Sequence, residues 1–135
     1  MPDTAAHHQV FRKGLIMEEK IPRKTEKPWG YELLYAHTPK YVGKVIFVKK
    51  GHRLSLQYHE KKDESMYIYE GKALLSIEGD DGRITSNTFT AGDCIRIPPM
   101  TQHRIEAIED TTVLEVSTPE LEDVVRVEDD YGRTK

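Results

Sequence analysis

Short apolar runs separated by turn residues dominate the chain from Trp29 onward. The runs are rich in Val, Ile, Leu, Tyr and Thr, recur about every 8 to 12 residues and are separated by Gly, Pro, Asp and Asn, which is typical of an all-β sandwich or barrel. Helical periodicity is nearly absent over this region. The pattern predicts short strands at residues 31–36, 42–48, 53–58, 66–69, 73–78, 83–89, 94–97, 103–107, 111–117 and 124–127. Strands of this number and length suit a jelly-roll barrel.

Residues 1–26 differ from the rest of the chain, since they are rich in charge and have no regular period. We expect them to form an N-terminal tail or arm that docks on a partner subunit. Residues 27–135 are expected to form a single domain, because 135 residues suffice for one core. Within this domain, Gly79-Asp80-Asp81-Gly82 predicts a tight hairpin, since Asp and Gly tolerate the positive φ of such turns.

The composition of the chain limits the cellular location and the classes of partner that we expect. Lys and Arg number 20 and Asp and Glu number 23, which gives a net charge of −3 with no basic block that could follow a nucleic-acid backbone. The apolar runs are far shorter than the roughly 18 residues of a membrane helix. The first 20 residues lack a secretory apolar stretch, and the only cysteine, Cys94, cannot form an internal disulfide. We therefore expect a cytoplasmic protein without nucleic-acid or membrane partners, and a buried Cys94 on its short apolar strand.

Candidate chemistry lies on and after the predicted strand at 53–58. Alternation along a strand places four polar side chains on one face: Arg53, Ser55, Gln57 and His59. Glu64 follows five residues after His59, and His103 opens a later predicted strand. Two imidazoles, a carboxylate and an amide oxygen could surround a divalent cation and leave positions open for substrate. The residue types alone also allow histidines that are only hydrogen-bonded in the core or at the surface.

The spacing of these residues resembles a known family. Residues 51–71 (GHRLSLQYHEKKDESMYIYEG) resemble the first cupin motif, and residues 92–103 (GDCIRIPPMTQH) resemble the second. More narrowly, residues 27–30 (KPWG), 54–57 (LSLQ) and 128–133 (EDDYGR) are similar to the C-terminal isomerase domain of type II mannose-6-phosphate isomerases. The resemblance covers residues 27–133 and implies the cupin double-stranded β-helix, a jelly-roll barrel. It also implies a divalent metal, with zinc as the first choice and Mn, Fe, Co and Ni as alternatives, on four ligands: Gln57, His59, Glu64 and His103.

The activity implied by the resemblance is aldose–ketose isomerisation of a phosphorylated hexose such as mannose 6-phosphate. With Glu64 as the only anionic ligand, a divalent ion leaves the site near +1, which favours an anionic enediolate. Arg53 shares the face of Gln57 and His59, so it is the first candidate for a catalytic contact with the phosphate or the intermediate; pairing with surface carboxylates is its other interpretation. Arg133 could also reach over the barrel mouth or be solvated.

Three points stay open at this stage. The proton carrier could be a metal-bound hydroxide, Glu32 or Tyr67. Met100 and Ala107 stand where the family usually has Gly and Asn, which bears on turn geometry and substrate fit near the expected pocket. The same two histidines and glutamate also form a 2-His-1-carboxylate set that would suit an iron dioxygenase, and a non-catalytic sugar-binding module is a further alternative.

We expect a homodimer, because the arm and the open sheet edges can pair across subunits.

Overall fold

The computed structural model describes residues 19–134, which form eleven β-strands and no helix. The strands are β1 (Arg23–Lys27), β2 (Gly30–His37), β3 (Val42–Val48), β4 (Leu56–Tyr58), β5 (Glu64–Glu70), β6 (Lys72–Glu78), β7 (Ile84–Thr90), β8 (Cys94–Ile97), β9 (His103–Ala107), β10 (Thr111–Ser117) and β11 (Val125–Glu128). The described part of the chain thus holds no helix long and apolar enough to span a membrane. The predicted all-β class is confirmed.

The strands form two antiparallel sheets. The first has six strands in the order β1-β2-β3-β10-β5-β8, and the second has five in the order β11-β4-β9-β6-β7. The hydrophobic core draws on both sheets, as in a jelly-roll barrel: Trp29, Ile46, Val48, Met66, Ile68, Ala73, Leu75, Ile97, Ile105, Ala107 and Val113. The predicted architecture is therefore the observed one.

Most predicted strands appear at or within two residues of their predicted bounds, because alternating apolar residues and turn residues define them locally. The hairpin at residues 79–82 joins β6 to β7 as predicted. One strand was not predicted: β1, whose sequence RKTEK has no apolar residue, forms because it pairs residue by residue with β2. Residues 23–26, which the pattern assigned to the arm, thus belong to this strand.

The inward-facing positions of the barrel divide into a polar end and an apolar end. Along β9 the buried His103 is followed at alternate positions by the buried Ile105 and Ala107. β5 repeats this order, with Glu64 before Met66. Side chains with a period of two share one face of a strand, so the ligand candidates and the core lie on the same inner surface. The core thereby supports the polar end from one side.

Candidate metal centre

Three buried side chains converge at the polar end of the barrel. His59 lies in the loop after β4, while Glu64 and His103 are the first residues of β5 and β9. β4 and β9 are neighbours in the five-stranded sheet, whereas β5 belongs to the other sheet, so both sheets contribute. Each of the three residues is only 3% exposed, and their ligand atoms all lie within 4.8 Å of one another. The structure therefore brings together the two histidines and the glutamate that the sequence singled out.

The hydrogen bonds of the imidazoles decide which atoms face the centre. The Nδ1 of His59 donates to the carbonyl oxygen of Asp123, and the Nδ1 of His103 donates to that of Thr101 at 2.9 Å. Because carbonyl oxygens only accept, neutral imidazoles here carry their lone pairs on Nε2. These two Nε2 atoms lie 2.9 Å and 3.1 Å from Oε2 of Glu64. With both imidazoles neutral, three acceptor atoms converge on one point, so a proton or a cation must lie between them. Two imidazole nitrogens and a carboxylate oxygen are also the donor set of a divalent metal site.

The neighbours of Glu64 keep its carboxyl group ionised. Burial opposes ionisation, but hydrogen bonds with His103 and His59 and the charge of Lys62 outweigh it and hold the pKa of Glu64 well below its ordinary range. Either a proton on an imidazole or a metal ion between these atoms stabilises the carboxylate. Glu64 is therefore ionised at neutral pH.

The fourth expected ligand, Gln57, lies beside the triad. Gln57 pairs with His103 across β4 and β9 and lines the same pocket. Its Oε1 accepts a hydrogen bond of 2.6 Å from the hydroxyl of the buried Ser55, which orients the amide. One lone pair of that oxygen remains for a metal ion.

A second buried ionic group adjoins the triad. The ammonium of Lys62 lies 3.2 Å from Oε2 of Glu115 and 3.7 Å from Oε1 of Glu64, although the contact with Glu115 is poorly aligned as a hydrogen bond. Burial and the charge of Glu64 raise the pKa of Glu115 to about 8. Burial lowers the pKa of Lys62, but Glu115 and Glu64 outweigh this and raise it. At neutral pH the group consists of a charged lysine, the ionised Glu64 and a protonated Glu115.

The loop that carries His59 is held by Asp123. The Asp123 carboxylate accepts backbone N–H bonds from Glu60, Lys61 and Lys62, while its carbonyl accepts from His59. Burial opposes the ionisation of Asp123, but these backbone donors outweigh it and lower its pKa. The sequence pattern gave no indication of this role, because contacts between residues more than 60 positions apart carry no local signal.

A cavity of about 330 Å³ reaches the triad at His59. A narrower pocket of about 50 Å³ shares Glu32, Lys44, Gln57 and Lys62 with it and continues to Glu64 and His103. The cavity is lined by two acidic residues, Glu32 and Glu122, and by six basic ones: Arg23, Lys27, Lys44, Lys62, Arg126 and Arg133. This excess of positive charge favours an anionic ligand.

Sequence reasoning did not identify most of these basic residues. Lys44 and Arg126 each interrupt an otherwise apolar strand, in VGKVIFV and in VRV. A lone cation within an apolar strand is the signal that could have marked them. Arg133, by contrast, was considered; it lines the cavity and is held there by bidentate hydrogen bonds of 2.8 Å and 2.9 Å to Asp129. This contact with Arg133 lowers the pKa of Asp129 to about 2.

The structure does not bring Arg53 to the cavity. Its guanidinium binds Asp130 in bidentate fashion at 2.7 Å and 2.9 Å on an exposed surface. The expected alternation fails because β4 covers only residues 56–58, and Arg53 makes a single isolated bridge to Glu106. Arg53 is therefore paired with a surface carboxylate, which is the second interpretation that the sequence allowed.

The other open residues are placed as follows. Glu32 lines the cavity, with Oε1 3.0 Å from Nζ of Lys44. Tyr67 lies on the outer face of the six-stranded sheet, where it pairs with Cys94 and is 43% exposed. Cys94 is exposed there too, so its expected burial is wrong: it begins an edge strand and faces outward.

The two departures from the family pattern lie outside the cavity lining. Met100 adopts φ 63°, the left-handed conformation that favours glycine, and its N–H donates to the carbonyl of His59 at 2.7 Å. The turn geometry is thus kept with methionine in place, and the side chain is 61% exposed. Ala107 is 2% exposed within the hydrophobic core. Neither residue constrains a ligand in the cavity directly.

Comparison with known proteins gives a consistent family assignment. A family model described as mannose-6-phosphate isomerase C-terminal matches residues 16–129. The mannose-1-phosphate guanylyltransferase of Escherichia coli (strain K12) is 33% identical over 122 residues, which cover 86% of this chain and 24% of that protein. The chain therefore spans about a quarter of the length of this relative.

Solved structures share the barrel. KdgF from Halomonas sp. superposes with a TM-score of 0.64 at 24% identity and covers 77% of this chain and 90% of that one. The oxalate decarboxylase of Lactobacillus farciminis, solved as a formate complex, gives a TM-score of 0.66 at 20% identity over 78% of this chain and 33% of that one. At these identities the likeness confirms the expected fold.

Proposed function

Because the chain is a cupin that belongs to the mannose-6-phosphate isomerase C-terminal family, we propose that it is a metal-dependent aldose–ketose isomerase of a phosphorylated hexose such as mannose 6-phosphate. The observation that carries the proposal is the convergence of two Nε2 atoms and one carboxylate oxygen at the base of a basic cavity. The chain spans only part of its longer relatives, so the activity is proposed for this barrel on its own residues.

The proposed metal ligands are His59, Glu64 and His103, with Gln57 as the fourth. Nitrogen and oxygen donors in this combination suit zinc first, and also Mn, Fe, Co or Ni. A bound divalent ion would supply Lewis-acid polarisation of the sugar carbonyl and its neighbouring hydroxyl. The backbone carbonyls that accept from both Nδ1 atoms orient the imidazoles for this role.

The remaining groups of the proposed site supply positive charge near Glu64 and a carrier for the proton that the reaction transfers. Lys62 is charged and Glu115 is protonated, so the buried surroundings of Glu64 add positive charge where an anionic intermediate develops. Glu32 is the candidate proton carrier that lines the cavity, and its Oε1 accepts a hydrogen bond of 3.0 Å from Nζ of Lys44. We propose that one carboxylate oxygen of Glu32 accepts the proton from the hydroxyl-bearing carbon of the sugar and returns it to the carbonyl carbon. The hydroxyl proton passes to the carbonyl oxygen in the same conversion, so the aldose and the ketose contain the same atoms.

A coupled assay for conversion of mannose 6-phosphate to fructose 6-phosphate tests the proposal. We expect turnover by the protein as purified, loss of at least about 90% of the rate after chelation, and recovery with one added divalent metal, because the metal provides the electrophile. Unphosphorylated mannose, assayed in parallel, is the substrate control. Absence of turnover with every metal contradicts the isomerase; oxygen uptake with iron(II) would then favour the dioxygenase, and ligand binding without turnover the sugar-binding module.

We propose a homodimer as the working form. The outer face of the six-stranded sheet supports this, since one row across it joins Leu33, Val45, Leu114, Tyr67 and Cys94. Tyr67 and Cys94 are exposed and the other three side chains are partly exposed. A contiguous apolar row on a surface is typical of a protein interface. Light scattering at micromolar concentration is expected to give twice the 15.6 kDa chain mass. A mass of one chain would contradict the dimer.

A further inference from the structure

Arg126 lies in the same cross-strand row as two of the proposed ligands. It pairs with Gln57 across β11 and β4, and Gln57 pairs with His103 across β4 and β9. Residues directly opposite each other in antiparallel strands share a face of the sheet. Arg126 and Gln57 accordingly line the same cavity. Neighbouring strands lie about 4.8 Å apart, so the Arg126 backbone is roughly 10 Å from that of His103.

The Nε of Arg126 lacks a partner within the described protein. Its Nε is buried and has no hydrogen-bond acceptor among residues 19–134, and Arg126 forms no ion pair within that range. Other arginines of the barrel are satisfied: Arg104 donates to the carbonyls of Leu54 and Glu128, and Arg133 binds Asp129. Arg126 is half-buried as a residue, but leaving its buried Nε–H unpaired is costly, so an acceptor from outside the chain is expected at this position.

The surroundings of Arg126 indicate the charge of that acceptor. Lys27, which also lines the cavity, forms no ion pair with the described residues, whereas Lys44 and Arg133 are already paired with Glu32 and Asp129. Within the described part of the chain, the unpaired cations thus outnumber the single unpaired carboxylate of the lining, Glu122. A phosphate monoester carries close to two negative charges at neutral pH and offers several oxygens to a guanidinium fork.

We propose that Arg126, assisted by Lys27, forms a phosphate subsite that is separate from the metal centre. The inference deepens the proposed function and rests on it only for the identity of the sugar. An extended six-carbon chain can span the two inter-strand spacings from Arg126 on β11 to His103 on β9. This places the reacting carbons at the end of the sugar remote from the phosphate. The substrate class is therefore an open-chain sugar with a terminal phosphate ester.

Calorimetric titration of the full-length protein with inorganic phosphate, in a zwitterionic buffer of fixed ionic strength, tests the subsite. We expect saturable binding that Arg126→Gln weakens roughly tenfold or more, because a charge-assisted hydrogen bond is lost. Arg126→Lys keeps the charge and is expected to retain part of the affinity. The control is Arg83→Gln, whose side chain is 84% exposed in a turn, with affinity unchanged.

The outcomes separate this inference from the isomerase. Phosphate binding that survives Arg126→Gln, as binding at a metal ion would, overturns the subsite, and so does the absence of binding to the unsubstituted protein. Acetate bound as tightly as phosphate overturns the assignment to a phosphate ester in favour of a carboxylate. Phosphate binding that depends on Arg126 supports the subsite even when the isomerase assay is negative. Circular dichroism of each variant verifies that the barrel is folded.

Discussion

Glu64→Gln is expected to lower the affinity for a divalent ion by more than about 100-fold, since loss of even an outer-shell partner of a metal ligand costs about 10–100-fold. Glutamine keeps the shape of the side chain but removes the only anionic donor of the triad. Its amide would also present either a neutral oxygen or N–H groups to the Nε2 atoms of His59 and His103, now 2.9 Å and 3.1 Å from the carboxylate. The measurement is a competition titration of zinc against a chromophoric chelator.

Two further variants make this result interpretable. Glu106→Gln removes a partly exposed carboxylate that lies near Arg53 on the same strand as His103, and we expect it to bind zinc as the unsubstituted protein does. The double variant His59→Ala, His103→Ala should lose zinc on dialysis. Stoichiometric zinc in that double variant, measured by elemental analysis, would show that the metal binds elsewhere. Isomerase activity is expected to fall together with the zinc content.

Lys62→Met is expected to lower the free energy of unfolding by about 3–5 kcal/mol, the usual cost of removing one partner from a buried ion pair. The ammonium of Lys62 is the cation shared by Glu64 and Glu115, and all three side chains are nearly inaccessible to solvent. Methionine fills the volume but leaves the ionised Glu64 without the counter-charge of Lys62. Urea unfolding in the presence of a chelator measures the loss without a contribution from metal binding.

The matched changes identify the cause of that loss. Lys62→Met combined with Glu115→Leu should recover part of the stability, because the buried polar Glu115, which Lys62→Met leaves beside an apolar side chain, is then replaced by an apolar residue. Lys40→Met, in an exposed turn, should stay within about 0.5 kcal/mol. A Lys62→Met variant as stable as the Lys40→Met control would show that the buried charges do not depend on Lys62.

The pH dependence of stability gives an independent check on Glu115. Its pKa is about 8 in the folded protein against an ordinary 4.5, so the folded state retains a proton that the unfolded chain releases. The contribution of Glu115 is complete below pH 4.5 and is lost as the pH rises through 8. Glu64 has the opposite sign, because its lowered pKa makes its contribution complete above the ordinary value and lost only in acid. Between the ordinary pKa of 4.5 and about 8, the free energy of unfolding should therefore decline less steeply with pH in Glu115→Gln than in the unsubstituted protein.

The sequence by itself determined the strands and the ligand candidates. Alternation and turn residues act over a few positions, which is why β3 and β9 have their predicted bounds and why His59, Glu64 and His103 could be selected by spacing. Gln57 was likewise found beside His103. Local pattern sufficed in these cases because strand geometry alternates side chains between two faces.

Tertiary structure alone decided which charged groups share the interior. Arg53 pairs with Asp130, 77 positions away, and so leaves the site, while the carbonyl of Asp123, 64 positions from His59, orients that imidazole. Arg126 enters the cavity only because β11 pairs with β4. Such contacts form only when strands far apart in sequence close the barrel. A local pattern of apolar and polar residues does not predict which of these strands pair.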